Sequence, residues 1–295
     1  MEIISTVLYL YADDRKELCD AINNAALITG PSRYCKISLF QDKYKEFDYI
    51  CFVLSSSDSS KKALNFINDS MNWLKEKKII CIYNSNKHSN AHSYARKIKD
   101  RMKDSLKYES SFYMGENKRK NEKLKNIFIE IAAKIRDIME LDIEEYPREL
   151  LKEDIEGFLK EHNMCTLCTG SIDMVIGTPI EYMYEEGNIY IITEGGRKFI
   201  NILRNPKVSV AVYNKYSGFN KLKGLQLKGR AEIISPEAEE YSRVLALKKL
   251  NLENIKSLNM IMNVIRIKLE RADFLCSEIK SKGYDAKQIY KFIDE

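Results

Sequence analysis

The feature that most constrains the fold of this chain is the stretch 189–214, in which a strand, a glycine turn, a short helix and a second strand follow one another directly. Apolar residues alternate with period two at both ends of the stretch, which is typical of strands. Between them lie the turn Gly195–Lys198 and a short amphipathic helix that a proline ends. We expect Phe199, Ile202 and Leu203 to share one face of that helix.

The turn predicts an anion site. Two consecutive glycines let the backbone approach a ligand closely, and a helix that begins there points free N–H groups outward. Arg197 and Lys198 add two positive charges, which are unfavourable at a helix N-terminus by up to about 1 kcal/mol unless an anion compensates them. Gly196, Arg197 and Lys198 are therefore candidates to bind a phosphate monoester, and the alternative is an ordinary charged helix start.

The length and charge of the chain limit its function. At 295 residues it exceeds the usual size of one domain, so we expect two. The net charge of +5 is small beside 48 basic and 43 acidic residues, and no basic stripe with interleaved aromatics is visible. We therefore expect no nucleic-acid partner.

The apolar runs, the first residues and the cysteines together predict a cytoplasmic protein. No apolar run reaches the length needed to span a membrane, and Glu2 stands where a basic leader would be expected. The seven cysteines are scattered and odd in number, which indicates reduced thiols. We expect no membrane association.

The first half of the chain alternates predicted strands with predicted helices, which indicates a doubly wound parallel sheet over residues 1–142. The order resembles a flavodoxin-like α/β domain. The predicted strands are 3–11, 35–39, 49–54, 79–83 and 109–114, and the predicted helices are 16–26, 61–75, 93–105 and 121–139.

In such sheets a ligand binds beyond the carboxyl ends of the strands. Those ends are the polar loops 12–15, 55–60 and 84–88. The phosphate loop of flavodoxins is absent after the first strand, and Asp13 and Asp14 stand there instead. Since two carboxylates repel a phosphate, we expect this domain to serve packing, partner docking or a weaker ligand.

The second half begins after a short linker at 141–150 and predicts a small β-barrel over residues 150–295. A helix is expected near 235–250, with Ser235 as its cap and Pro236 in its first turn. The other predicted helix is 152–162, and the predicted strands are 164–169, 173–184, 189–193, 208–213, 222–234 and 262–269.

Four motifs in order make this half similar to the FMN-binding split barrel of the pyridoxamine 5'-phosphate oxidase-like proteins. They are Gly-Thr-Pro-Ile-Glu-Tyr at 177–182, Thr-Glu-Gly-Gly-Arg-Lys at 193–198, Asn-Pro-Lys-Val at 205–208 and Gly-Arg-Ala-Glu at 229–232. The resemblance covers residues 151–295. It implies a flavin contact at Thr193, a flavin-facing strand at Thr178, Pro179 and Ile180, and a further contact at Gln226.

The chain departs from the family pattern at two places. Members often carry an arginine on the strand before the hairpin, where this chain has Gly177, Thr178 and Pro179, so the phosphate contact rests on Arg197 and Lys198. Pyridoxamine-phosphate oxidases proper hold their substrate with Arg-x-His near the C-terminus. Nothing after Leu269 matches, and we do not expect that activity.

Two further patterns could bind a metal. Cys165 and Cys168 have zinc-ligand spacing, but no second pair exists and residues three apart on a strand face opposite sides. We expect structural thiols. His88 and His92 are four residues apart, and no third ligand accompanies them, so we expect no metal there.

These observations support three hypotheses. The first is an FMN-dependent oxidoreductase, implied by the resemblance to be a homodimer with FMN in clefts at the subunit interface. A reduced nicotinamide or a protein electron carrier would be its donor, and no catalytic side chain is assigned. The second is a non-catalytic module that binds FMN or haem, with the flavodoxin-like half as a docking platform. The third is a flavin-free scaffold.

Overall fold

The computed structural model describes residues 6–114, 121–258 and 260–292. The chain divides into two compact units at the boundary between Asp142 and Ile143. Residues 3–5 of the first predicted strand lie outside the described ranges. Within those ranges, no helix has the length and apolar character needed to cross a membrane.

The first unit is a five-stranded parallel sheet in the order β2-β1-β3-β4-β5, which is the order of flavodoxin. The predicted flavodoxin-like fold is confirmed. Its strands are β1 (Val7–Tyr11), β2 (Ser32–Lys36), β3 (Tyr49–Leu54), β4 (Lys78–Asn84) and β5 (Leu106–Phe112). Its helices are α1 (Lys16–Thr29), α2 (Ser57–Asp69), α3 (Met71–Leu74), α4 (Ala91–Arg101) and α5 (Asn121–Glu140).

Both faces of this sheet are covered by helices, which explains why β1 and β3 are continuous apolar runs. Leu18 of α1 and Phe128 of α5 pack on one face. Ile67 of α2 and Ile98 of α4 pack on the other. The central strands are thus buried on both sides, and the apolar runs mark them directly in the sequence.

Several boundaries in this unit differ from the prediction, and two of these differences have a visible cause. Strand β2 ends at Lys36, and short 3₁₀ turns at Ile37–Leu39 and Asp42–Glu46 follow where the strand was expected to continue. As an edge strand with exposed side chains, β2 shows no clear apolar period. Helix α2 begins four residues early because the Ser56 hydroxyl accepts a hydrogen bond from the Ser59 amide at 3.2 Å.

The second unit contains an antiparallel sheet in the order β7-β6-β10-β11-β12-β9-β8, with β13 also paired to β12. Strands β7 and β9 approach each other, so the sheet curls into a split barrel and that prediction is confirmed. Its strands are β6 (Met164–Gly170), β7 (Val175–Glu181), β8 (Met183–Glu185), β9 (Asn188–Thr193), β10 (Lys207–Tyr213), β11 (Lys223–Ile234), β12 (Asn263–Cys276) and β13 (Lys287–Lys291). Its helices are α6 (Arg148–Glu161), α7 (Lys198–Arg204), α8 (Glu239–Leu247), α9 (Leu252–Lys256) and α10 (Ser277–Ser281).

The barrel core comes from alternating inward residues, such as Leu225 and Leu227 on β11 and Ile267 on β12. Helix α6 adds Phe158 to that core. Helix α8 instead packs Val244 against the outer face of the sheet. The rest of the outer face of β10–β12 includes exposed polar and charged side chains such as Gln226 and Lys228.

Several elements of this unit differ from their predicted bounds, among them the following three. The predicted strand 173–184 is two strands, β7 and β8. Strand β12 was predicted to end at Leu269 but continues to Cys276. A β-bulge, matched by a register shift between Lys228 and Gly229, interrupts the alternation after Leu269 and hides the rest of the strand in the sequence. Helix α8 begins at Glu239 rather than after Ser235, since the Ser235 hydroxyl accepts from the Glu237 amide in a turn that precedes the helix.

The bulge generates a prediction for stability. A Cβ atom at Gly229 would lie 2.4 Å from the backbone oxygen of Lys268, so Gly229→Ala must push β11 and β12 apart at this position. We expect a loss of about 2–3 kcal/mol in the free energy of unfolding, measured by urea denaturation.

The matched control is Gly157→Ala. Gly157 is exposed in α6, and an added Cβ meets nothing within 4 Å. This substitution should be neutral or stabilise by up to about 1 kcal/mol. Equal stability of the two alanine variants would contradict the role assigned to the bulge.

Candidate functional site

The turn between β9 and α7 has a backbone that requires glycine. Gly195 has φ 141° and Gly196 has φ 111°, a region that other residues rarely occupy. A Cβ atom at Gly195 would meet no other atom within 4 Å, so the turn faces open space. A ligand can therefore approach its backbone closely.

The same turn presents unused donors. In the described part of the chain, the amides of Gly196, Arg197 and Lys198 have no hydrogen-bond acceptor. The exposed Arg197 guanidinium likewise has no ion-pair partner among the described residues. Consecutive free amides beside a cation form a concave anion site.

Lys198 differs from Arg197 in where its charge lies. Its side chain is only 6% exposed, and its ammonium group donates to the carbonyl oxygen of Gly195. Burial lowers the pKa of Lys198, while the nearby charge of Glu194 acts in the opposite direction. The Lys198 side chain thus stabilises the turn from within, and Arg197 supplies the outward-facing charge.

Helix α7 is anchored by a buried polar residue. The Asn201 amide group is fully buried and donates to the carbonyl oxygen of Thr169 at 3.1 Å. Its oxygen accepts from the Ser171 hydroxyl at 2.7 Å. Leu203, expected on the inner face of this helix, is 73% exposed, so that prediction is wrong. Asn201 occupies the inner face because it satisfies polar groups of the β6–β7 turn.

A second side chain fixes the other end of the turn. The Asn263 side-chain amide of β12 donates to the carbonyl oxygens of Thr193 at 3.3 Å and Glu194 at 3.2 Å. Asn201 and Asn263 were both missed in the sequence. A polar residue inside an otherwise apolar helix or strand was the available signal.

The three candidates on β7 lie on an edge strand beside β9 and α7. Thr178 and Ile180 face the barrel interior and are partly exposed, whereas Pro179 is exposed on the outer side. Proline is tolerated on an edge strand because its missing N–H faces away from the neighbour. The free edge of β7 therefore offers backbone groups next to the turn.

Gln226 lies elsewhere. It is exposed on the outer face of β11, opposite Ala211 and Asp273. Ile234, at the other end of β11, is the residue of that strand nearest in register to Thr193. Eight residues of strand separate Gln226 from Ile234, which corresponds to about 26 Å. The turn residues and β7 are brought together within one chain, and Gln226 is not brought to Thr193.

This geometry can be compared with known proteins. Residues 151–276 match the sequence profile of the pyridoxamine 5'-phosphate oxidase family. The second unit is a pyridoxamine 5'-phosphate oxidase-like split barrel.

Individual relatives are similar over part of the chain. A UPF0306 protein of Yersinia pestis is 26% identical over 120 residues, which are 39% of this chain and 81% of that protein. A FAD-binding protein of Mesorhizobium loti is 19% identical, covers 41% of this chain and 90% of its own, and has a TM-score of 0.33. The heme storage protein of Vibrio cholerae is 16% identical, with coverages of 41% and 90% and a TM-score of 0.35.

Of the cysteines and histidines considered as metal ligands, Cys165 and Cys168 belong to β6 and His92 belongs to α4. Cys165 faces the core, and burial, together with the charge of Cys168, raises its pKa to about 12. Cys168 is half-buried on the opposite face. His92 lies against the ring of Tyr83. Among the described residues, no group of three or more His, Cys, Asp or Glu is placed to hold a metal ion.

The carboxyl edge of the flavodoxin-like sheet is closed by its own contacts. The Asp13 carboxylate accepts from the Ser55 hydroxyl at 2.5 Å and from Arg15 Nε at 3.0 Å. The Asn84 side chain donates to the carbonyl oxygen of Ser55 at 2.9 Å. Burial raises the pKa of Asp13, but the hydrogen bonds from Arg15 and Ser55 outweigh it and lower that pKa to about 2. Asp13 therefore joins two loops of this edge.

This lowered pKa predicts how stability depends on pH. Because the folded state holds Asp13 ionised below its ordinary pKa of 3.8, the contribution is present above pH 4 and is lost as the pH falls towards 2. At pH 7, Asp13→Asn should reduce the free energy of unfolding by about 2 kcal/mol. The difference from the wild type should shrink between pH 4 and pH 3.

Urea denaturation at pH 7, 4 and 3 measures this effect. Asp14→Asn is the control, since the neighbouring Asp14 side chain is 76% exposed. A pH-independent difference between the wild type and Asp13→Asn would show that the carboxylate charge is not what joins the loops.

Proposed function

We propose that this protein is an FMN-dependent oxidoreductase that binds the flavin phosphate at the turn Gly196–Lys198. The observation that carries the proposal is the set of amides beside the Arg197 guanidinium that have no partner among the described residues. They lie within residues 151–276, which match the split-barrel family, at the basic turn that the sequence resemblance implies. A phosphate dianion compensates that charge and accepts those hydrogen bonds.

The residues present fit FMN at its phosphate end. Arg197 and the amides of Gly196 and Lys198 would hold the phosphate, and Thr193 would contact the flavin beside the turn. Thr178, Pro179 and Ile180 would orient the ring along the free edge of β7. When bound, FMN supplies hydride or electron transfer. The protein contributes binding, orientation and exclusion of water, with Lys198 and Asn263 as positioning residues.

The place of Gln226 supports a homodimer. One flavin that contacts both the turn and Gln226 requires the Gln226 of a second copy, because eight residues of strand separate the two places within one chain. The flavin would then lie in a cleft between two barrels. Exposed Gln226 and its small neighbour Ala211 leave that outer face accessible.

FMN is favoured over haem by the histidines. His162 is the one histidine of the second unit, and both of its ring nitrogens are hydrogen-bonded, to the Phe158 carbonyl at 2.8 Å and to Asn214 Oδ1 at 2.7 Å. It is therefore not free to bind haem iron. The donor is proposed to be a reduced nicotinamide or a protein electron carrier.

The direct test is the visible spectrum of the purified full chain, with the chromophore released and identified. Stoichiometric FMN supports the cofactor, and oxidation of NADH or NADPH with an artificial acceptor supports turnover. FMN without turnover by either nicotinamide or by a reduced electron carrier would indicate a binding module. A colourless protein that takes up no added FMN would overturn the proposal.

Arg197→Ala tests the phosphate contact. We expect FMN affinity to fall about 10–100-fold, because one charge-assisted hydrogen bond is lost. Riboflavin, which lacks the phosphate, should bind the variant as it binds the wild type. Fluorescence titration measures both ligands.

Arg204→Ala is the matched control, since Arg204 is an exposed arginine at the other end of α7. It should leave both affinities unchanged. An equal loss of FMN and riboflavin affinity in Arg197→Ala would show a general disturbance instead of a phosphate contact.

Mixed dimers test the sharing of Gln226. In a heterodimer of Arg197→Ala and Gln226→Ala subunits, one site carries both changes and the other carries neither. About half of the sites should then bind FMN with wild-type affinity, whereas both homodimers bind weakly. If no site recovers, Gln226 does not act across the interface.

A further inference from the structure

We propose that the outer face of the barrel sheet holds a second phosphate-binding site, formed by Lys207, Arg230 and Lys268. These three residues are called the cationic row. The inference goes beyond the proposed function, because the row does not require a flavin. Its ligand is a phosphate monoester.

The strand register places the row. Lys207 of β10 lies directly opposite Arg230 of β11, and Arg230 lies directly opposite Lys268 of β12. All three side chains are exposed. Since neighbouring strands are about 4.8 Å apart, the row spans about 10 Å with the guanidinium in its centre. In the sequence these residues are far apart, so their alignment is not visible there.

The charges of the row are not compensated within the described ranges. None of the three side chains has an ion pair or hydrogen bond there. The carboxylates nearby on this face are engaged with other cations. Glu232 pairs with Arg266, and Asp273 pairs with Arg271 at 2.6 Å and Lys228 at 3.8 Å.

Like charges directly opposite each other on neighbouring strands destabilise a sheet. A row of three therefore lowers the stability of the free protein, and an oxyanion that binds it removes the repulsion. A guanidinium offers two parallel N–H donors to phosphate oxygens, and the flanking ammonium groups add point charges. This arrangement fits a phosphate better than a monovalent anion.

The phosphate can come from either of two sources. Arg230 lies four residues from Gln226 on the same face of β11, about 13 Å along the strand and within the length of an FMN molecule. A flavin of a second copy that contacts Gln226 would place its phosphate within reach of Arg230, and this source rests on the proposed function. Arg230 would then supply the positive charge that is missing at Gly177–Pro179. The other source is a separate phosphorylated small molecule.

The test uses thermal unfolding of the flavin-free full chain in inorganic phosphate and in chloride at equal ionic strength. Phosphate should raise the Tm of the wild type, and Arg230→Gln should lose at least half of that increase. Without phosphate, Arg230→Gln should raise the Tm by about 1–2 °C, because the repulsion is relieved. Arg230→Lys should keep most of the phosphate response.

Controls separate this site from the turn. Lys215→Gln removes an exposed lysine outside the row and should respond to phosphate like the wild type. In Arg197→Ala, the part of the phosphate-dependent rise in Tm that Arg230→Gln abolishes should remain. Lys268→Gln provides a second variant of the row if Arg230→Gln does not fold.

The affinities for FMN and riboflavin distinguish the two sources. If Arg230→Gln weakens FMN binding several-fold and leaves riboflavin unchanged, the flavin phosphate occupies the row. If FMN binding is unchanged and the phosphate response is lost, a separate phosphorylated ligand occupies it. If the wild type binds no flavin, the proposed function is wrong. The thermal-unfolding test in phosphate remains valid, because it uses the flavin-free chain. A phosphate response equal in the wild type, Lys215→Gln and the row variants would overturn the inference.

Discussion

The contact between the buried Lys198 ammonium and the carbonyl oxygen of Gly195 determines the shape of the turn on which the candidate site depends. Two positive-φ glycines would otherwise leave this segment free to adopt many conformations. With Lys198 bonded inside and Asn263 bonded to Thr193 and Glu194, the amides of the turn are held facing outward. A preorganised anion site loses little conformational entropy when it binds.

The two units use polar residues in opposite ways. In the flavodoxin-like unit, Asp13, Ser55 and Asn84 bond to one another at the edge of the sheet where related folds bind ligands. Their hydrogen-bonding capacity is used in holding the loops together. In the split barrel, the turn and the outer face keep cations and amides without partners among the described residues. The proposed ligand sites therefore both lie in the second unit.

Both folds could be predicted from the sequence because their strands have strong apolar patterns. The run Tyr49–Leu54 was bounded as the structure has it, since it is buried on both faces. The pattern failed where tertiary contacts dominate. The bulge opposite Gly229 breaks the alternation of β12. The hydrogen bond from the Ser59 amide to the Ser56 hydroxyl moves the start of α2 to an earlier residue.

The candidate site was only partly predictable for a similar reason. Its backbone turn is local, so Gly195 and Gly196 mark it in the sequence. The burial of Lys198, the anchoring by Asn201 and the alignment of Lys207 with Arg230 depend on residues that are distant along the chain or on packing. Spacing within one strand carries no information about the residue opposite.

Pro179 has a consequence for assembly. It lies in the middle of β7, the outermost strand on that side of the barrel sheet, and the hydrogen-bonding edge there lacks one donor. Another chain cannot extend the sheet across this position without leaving an acceptor unpaired. Edge-to-edge pairing of two barrels through β7 is therefore disfavoured at this position, which lowers the tendency of this edge to aggregate.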